Sequence, residues 1–263
     1  MQVRERVLKD KPAAIIFLGD LEPQRPLEEE IAPILKAGVE VRWIRGNHDT
    51  DTKSTWDNLA SVMHLNIDGR VVELDGLRIA GLGGVFRGDI WYPDPTAGSS
   101  SEPQFESYAA YCRANEDRRP AQLRNREALE ASLRTLEHLP GANAAMIDEI
   151  RYGKKLKHLS SIFWNAYEQL WDQKADILVT HEAPSCHRNG FSAIDDLAQS
   201  MGVGALFHGH HHDRLDYRPW DSKLGFKAYG VGFCGITDGQ GRVVLSGDFD
   251  EARQYRQGIP DAD

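Results

Sequence analysis

Apolar positions along the chain fall into short unbroken runs and helical spacings that alternate from the start. Val3, Val7 and Leu8 recur at helical spacing before Pro12, and residues 13–18 follow as a continuous apolar run. Such a run predicts a central strand buried on both faces. Residues 26–37 have the spacing of a second helix that Gly38 ends, and residues 39–44 that of a second strand. Together they form a β-α-β unit expected to be parallel and right-handed. Both strands run into polar clusters, Gly19-Asp20-Leu21-Glu22 and Gly46-Asn47-His48-Asp49. Ligands of open α/β sheets bind beyond the carboxyl ends of strands, so the two clusters are predicted to lie side by side.

Further along, Val71–Leu74 and Leu77–Ala80 predict a hairpin turned at Asp75-Gly76. Residues 122–138 and 156–171 have helical periodicity, the second with Leu156, Leu159, Phe163, Tyr167 and Leu170 on one face. Residues 99–172 are therefore expected to be a helical insertion dividing one domain into an N-terminal half, 1–98, and a C-terminal half, 173–263. A buried strand over 176–180 ends at His181, a short helix over 194–201 closes at Gly202, and a strand over 205–207 ends in Gly209-His210-His211-His212. The tail, around Lys227–Phe233 and Arg242–Leu245, predicts closing β-hairpins.

Composition narrows the function classes. Lys and Arg total 31 against 40 Asp and Glu, a formal charge of −9, which disfavours nucleic acid and anionic membranes as partners. No stretch is apolar over the roughly 18 residues of a membrane span, and the three cysteines lack metal-type spacing. A reduced, cytoplasmic setting is expected from that cysteine usage.

Four strands each end in a metal-competent side chain: Asp20, Asn47, His181, and the pair His210 and His212. Oxygen donors mixed with imidazoles suit Mn, Fe, Zn or Co rather than calcium or a thiolate-bound structural zinc. Arg87 and Arg188 lie near these loops in sequence and are candidate phosphate clamps. Ser185 and Cys186, near His181, are weak nucleophile candidates. Trp91, Tyr92, Phe105 and Trp164 are candidates to stack on a base or aryl group, against the competing expectation that they fill the core.

Gly19-Asp20, Gly46-Asn47-His48-Asp49, Thr180-His181 and Gly209-His210-His211-His212 resemble, in order and spacing, the second to fifth signature blocks of the calcineurin-like metallophosphoesterases. The resemblance implies a two-sheet α/β/β/α sandwich and a metal-dependent phosphoric ester hydrolase, acting on a small-molecule or nucleotide monoester or diester. It implies two divalent ions, Mn, Fe, Zn, Co or Ni, roughly 3.5–4 Å apart. Asp20 bridges them, Asn47, His181 and His210 complete one site, and His212 serves the other. His48 faces the substrate phosphate, and Asp49 orients its ring. The family's opening D-x-H block has no counterpart in the chain. The expectation is therefore a first strand lacking through a late start rather than decay, one metal site complete and the other weak. A non-catalytic interaction module and a nuclease of the same superfamily are the competing functions.

Overall fold

The computed structural model describes residues 2–93, 102–115, 126–137 and 143–253. Its strands are β1 Ala14–Phe17, β2 Glu40–Trp43, β3 Arg70–Leu74, β4 Leu77–Leu82, β5 Ile177–Thr180, β6 Ala205–His208, β7 Lys227–Gly230, β8 Ile236–Thr237 and β9 Val243–Leu245. The helices are α1 Gln2–Asp10, α2 Leu27–Lys36, α3 Lys53–Ala60, α4 Tyr108–Ala114, α5 Arg126–Glu137, α6 Ala144–Tyr152, α7 Lys154–Lys157, α8 Trp164–Trp171, α9 Ser192–Met201, α10 Asp221–Leu224 and α11 Asp250–Arg253.

β1 pairs in parallel with β2, while β3-β4-β5-β6-β7 form a second sheet, antiparallel only between β3 and β4. Strand side chains alternate between faces, and that alternation sorts the core into three layers. Ile15, Phe17, Val41 and Trp43 pack with Val7, Ile31, Ile34 and Leu59 of the flanking helices. Ile16 and Leu18 meet Ile79, Ile177, Val179 and Phe207 between the sheets. Ala80, Leu178, Leu206 and Ala228 face Tyr167, Leu170, Ile194 and Leu197 of α8 and α9. Helix, sheet, sheet, helix is the α/β/β/α order the motif resemblance implied. Leu178 is fully buried in the outermost layer, so Leu178→Ala is expected to cost about 2–4 kcal/mol in denaturant unfolding. A cost below about 1 kcal/mol would show that this layer is not close-packed.

Several local expectations change. β1 is half-buried at all four positions and, among the described residues, pairs only with β2; its apolar run is covered on both faces, as expected, but it lies at the edge of a two-stranded sheet rather than at the centre of a larger one. β7 joins the larger sheet in parallel; only β8 and β9 make a closing hairpin. The helix expected over 156–171 is broken. α7 ends at Lys157, and Ser160 and Ile162 hydrogen-bond to Val85 through their backbones before α8 begins at Trp164. Long-range pairing there outweighs a helical pattern that is intact in sequence. The helix expected over 122–138 appears as α5; residues 122–125 and 138 lie outside the described residues. The Asp75-Gly76 turn is as expected, with φ of 50° and 76°, as a two-residue hairpin requires.

Candidate metal centre

The ends of β1 and β2 meet the ends of β5 and β6 across the seam between the two sheets, and the site lies there. Two glycines make that approach possible. A Cβ at Gly19, whose φ is +95°, would stand 2.5 Å from the Gly46 nitrogen and 2.6 Å from His181 Nδ1. One at Gly46 would stand 2.1 Å from Asp20 Oδ1. The glycine in each motif therefore serves to bring loop backbone against loop backbone. Asp20, His210 and His212 themselves take positive φ of 52°, 64° and 57°, a conformation uncommon for side chains of this kind.

One carboxylate ties the loops together. Asp49 is fully buried, and its two oxygens accept backbone N–H groups from Gly46 (2.8 Å), Asp20 (3.1 Å), Leu21 (2.8 Å) and Glu22 (3.1 Å). Burial pushes its pKa to about 6 despite those donors. The expectation that Asp49 orients the His48 ring is therefore corrected: the ring's Nδ1 meets Asp51 Oδ2 at 2.7 Å, while Asp49 spends its lone pairs on the backbone. Asp49→Ala leaves those buried donors without partners and should cost about 3 kcal/mol or more in unfolding free energy. A loss under 1 kcal/mol in a urea titration would show that the loops do not depend on it.

Asp20, His181 and His210 each offer a ligand atom within 4.8 Å of the others. His181 Nδ1 donates to the Leu18 carbonyl at 2.6 Å, since a carbonyl can only accept. That leaves Nε2 turned towards Asn47 Oδ1 at 3.1 Å and Asp20 Oδ2 at 3.3 Å. Three lone-pair atoms thus converge, and Asp20 Oδ2 is buried with no hydrogen-bond partner among the described residues. Without an ion, a proton on His181 Nε2 would have to serve both oxygens; a divalent cation in its place would meet all three atoms at once. Burial opposes ionisation of Asp20, but His181 and the His48 N–H outweigh it and hold the carboxyl at about 2. Burial, with His181 nearby, drives His210 down to about 4, so its imidazole is neutral at neutral pH and able to ligate. The donor set fits a divalent ion of the N/O type.

The structure does not bring His212 into this group; its ring stands 4.9 Å from that of Phe233. His48 is at the rim, its side chain about half exposed, and its backbone N–H donates to Asp20 Oδ1 at 2.8 Å. Burial lowers the His48 pKa, but Asp51, Asp20 and Glu22 outweigh it and raise it. Arg87 lies near enough to Glu182, Asp51 and Asp20 for their charges to act on it. Its guanidinium donates to Ser161 Oγ (2.9 Å), Ser160 Oγ (3.2 Å) and the Lys157 carbonyl (3.2 Å). Arg188 is exposed on the turn after His187. Ser185 hydrogen-bonds Asp195, while Cys186 is fully buried with its thiol pushed up to about 12, which leaves it in the unreactive thiol form. Trp91 is buried in the core, and Tyr92, Phe105 and Trp164 pack against it. His208, the last residue of β6, is fully buried.

Several partners carried no sequence signal. Ser160 bonds Thr50 at 2.6 Å and lies beneath Arg87, and Glu182 is buried with its carboxyl raised to about 7 by desolvation, accepting the Phe86 N–H. Each has meaning only through contacts over 70 residues or more along the chain.

A protein of Haemophilus influenzae described as uncharacterised is 35% identical over 241 residues, covering 91% of this chain and 88% of its own. A solved structure from Thermus thermophilus covers 94% of this chain and 92% of its own, at 13% identity and a TM-score of 0.47. No helix among the described residues is long and apolar enough to cross a membrane. The model of the calcineurin-like phosphoesterase family matches residues 1–214. The chain belongs to the calcineurin-like phosphoesterase family.

Proposed function

We propose that this protein is a divalent-metal-dependent hydrolase of phosphate esters. Asp20, Asn47, His181 and His210 would hold one ion, and of the ligands that the family resemblance gives a second ion the chain keeps only Asp20 and His212. The observation that carries the reading is the convergence of the Asn47 and His181 ligand atoms on a buried Asp20 oxygen that has no geometrically formed hydrogen bond among the described residues. When bound, the cation supplies Lewis acidity to a phosphate oxygen and a lowered pKa to water.

The chain's own groups supply the rest. Leu18 fixes the His181 tautomer that keeps Nε2 available. Asp51 holds the His48 ring and favours its protonated form, so His48 can place positive charge and a proton beside the leaving oxygen. Arg87, anchored by Ser160 and Ser161, adds positive charge near Asp20, where an ester phosphate would carry its negative charge. Arg188, exposed and farther along its turn, is a weaker candidate for the same task.

The test is hydrolysis of 4-nitrophenyl phosphate and bis(4-nitrophenyl) phosphate. Activity should vanish on dialysis against a chelator and return with Mn²⁺. Absence of turnover on both esters with Mn, Fe, Zn, Co and Ni would leave the non-catalytic module as the better reading. Cleavage of single-stranded DNA ahead of both small esters would favour the nuclease.

A further inference from the structure

Beyond the metal centre, a row of rings leads outward from His212. The His212 ring stands 4.9 Å from that of Phe233, which stacks on Phe249 at 5.3 Å and 22°. Phe233 is 37% exposed and Phe249 40%. Among the described residues seven large apolar side chains are exposed, and these are the two in ring contact with each other. Single exposed apolar residues are ordinary, whereas a stacked pair beside a polar site marks a contact surface.

The display is built into the fold. Phe233 precedes β8 and Phe249 follows β9, so the hairpin brings its two ends together. The Asp248 N–H donates to the Phe233 carbonyl at 2.9 Å, the Gly235 N–H to the Gly232 carbonyl at 2.8 Å, and the Gly247 N–H to the buried Asp250 carboxylate at 2.9 Å. Two rings fixed this way lose little side-chain freedom on binding, which favours planar partners.

We infer that Phe233 and Phe249 form a stacking platform for a planar aromatic group in the non-phosphate part of the substrate, a nucleobase or an aryl ring. The inference rests on the phosphoesterase reading of the site, because His212, in ring contact with Phe233, stands two residues along the same loop from His210 of the cluster that would hold the phosphate. A small ester fits better than a polynucleotide, since the chain carries a net charge of −9. The aromatic residues that the sequence offered for stacking are committed to the core or packed against it, whereas Phe233 and Phe249 are exposed.

Titration calorimetry on the Mn²⁺-loaded protein tests this with two ligand pairs: phenylphosphonate against methylphosphonate, and adenosine 5′-monophosphate against ribose 5-phosphate. At least one aromatic member should bind about tenfold more tightly than its partner, the usual effect of one stacked ring. Preference in the first pair identifies an aryl group, and preference in the second a nucleobase. Phe233→Ala and Phe249→Ala should bring that ratio close to one, and Phe233→Tyr should keep it. Methylphosphonate and ribose 5-phosphate should bind each alanine variant as they bind the wild type, which separates loss of the platform from loss of fold. Equal affinities within both pairs, or a preference that survives both alanine variants, would overturn the platform alone. Failure of methylphosphonate, ribose 5-phosphate and inorganic phosphate to bind at all would overturn the phosphoesterase reading and the platform with it.

Discussion

Asp20→Asn is expected to abolish ester hydrolysis while leaving the metal-free fold close to intact. The side chain's Oδ1 accepts the His48 N–H at 2.8 Å, and the asparagine amide keeps an oxygen for that bond. What it loses is charge on the buried oxygen that faces His181 Nε2. A cation-holding carboxylate is worth several kcal/mol of charge stabilisation, which at 1.36 kcal/mol per factor of ten is about 10³- to 10⁴-fold in rate. The independent readout is thermal. At a hundred times its dissociation constant Mn²⁺ should stabilise the wild type by about 2.7 kcal/mol, and the variant should gain little. A variant that keeps both the Mn²⁺ shift and the rate would remove Asp20 from the centre.

His48→Ala separates chemistry from metal holding. The ring is at the rim, paired with Asp51 rather than with the converging donor atoms, so its removal should leave the Mn²⁺ stabilisation unchanged. The rate should nonetheless fall about 10²- to 10⁴-fold, as for loss of a proton donor. The fall should be larger for alkyl than for 4-nitrophenyl esters, because a good leaving group needs little protonation. Equal losses on both would make His48 an electrostatic group, and no loss would exclude it. Asp51→Asn should cost less than His48→Ala, since it alters the ring's orientation and charge without removing the ring.

Much of this centre is legible in the chain because its residues stand at the ends of apolar strands, where an abrupt change from hydrophobic to polar is visible one residue at a time. Asp20, Asn47, His181 and His210 are found that way, and the structure brings them together. His212 obeys the same local rule and is not brought together with them. The difference lies in the loop after β6, where positive φ at both His210 and His212 sets where each ring goes. The role assigned to Asp49 fails for a similar reason: adjacency to His48 in sequence says nothing about which carboxylate its ring will meet, and three residues along a 3-10 turn put Asp51 there instead.

The sequence by itself determined the strand and helix types, the α/β class, and which side chains stand at strand ends, because period, turn residues and chain direction are local properties. Only the tertiary structure decided that β1 lies at an edge, that the helix over 156–171 breaks to pair with Val85, and that Phe233 and Phe249 stay exposed while Trp91 is buried and Trp164 packs against the core. Each of these is settled by competition between distant segments for hydrogen bonds and for burial. That competition has no single-residue signature, so it is resolved only when the sheets and helices pack.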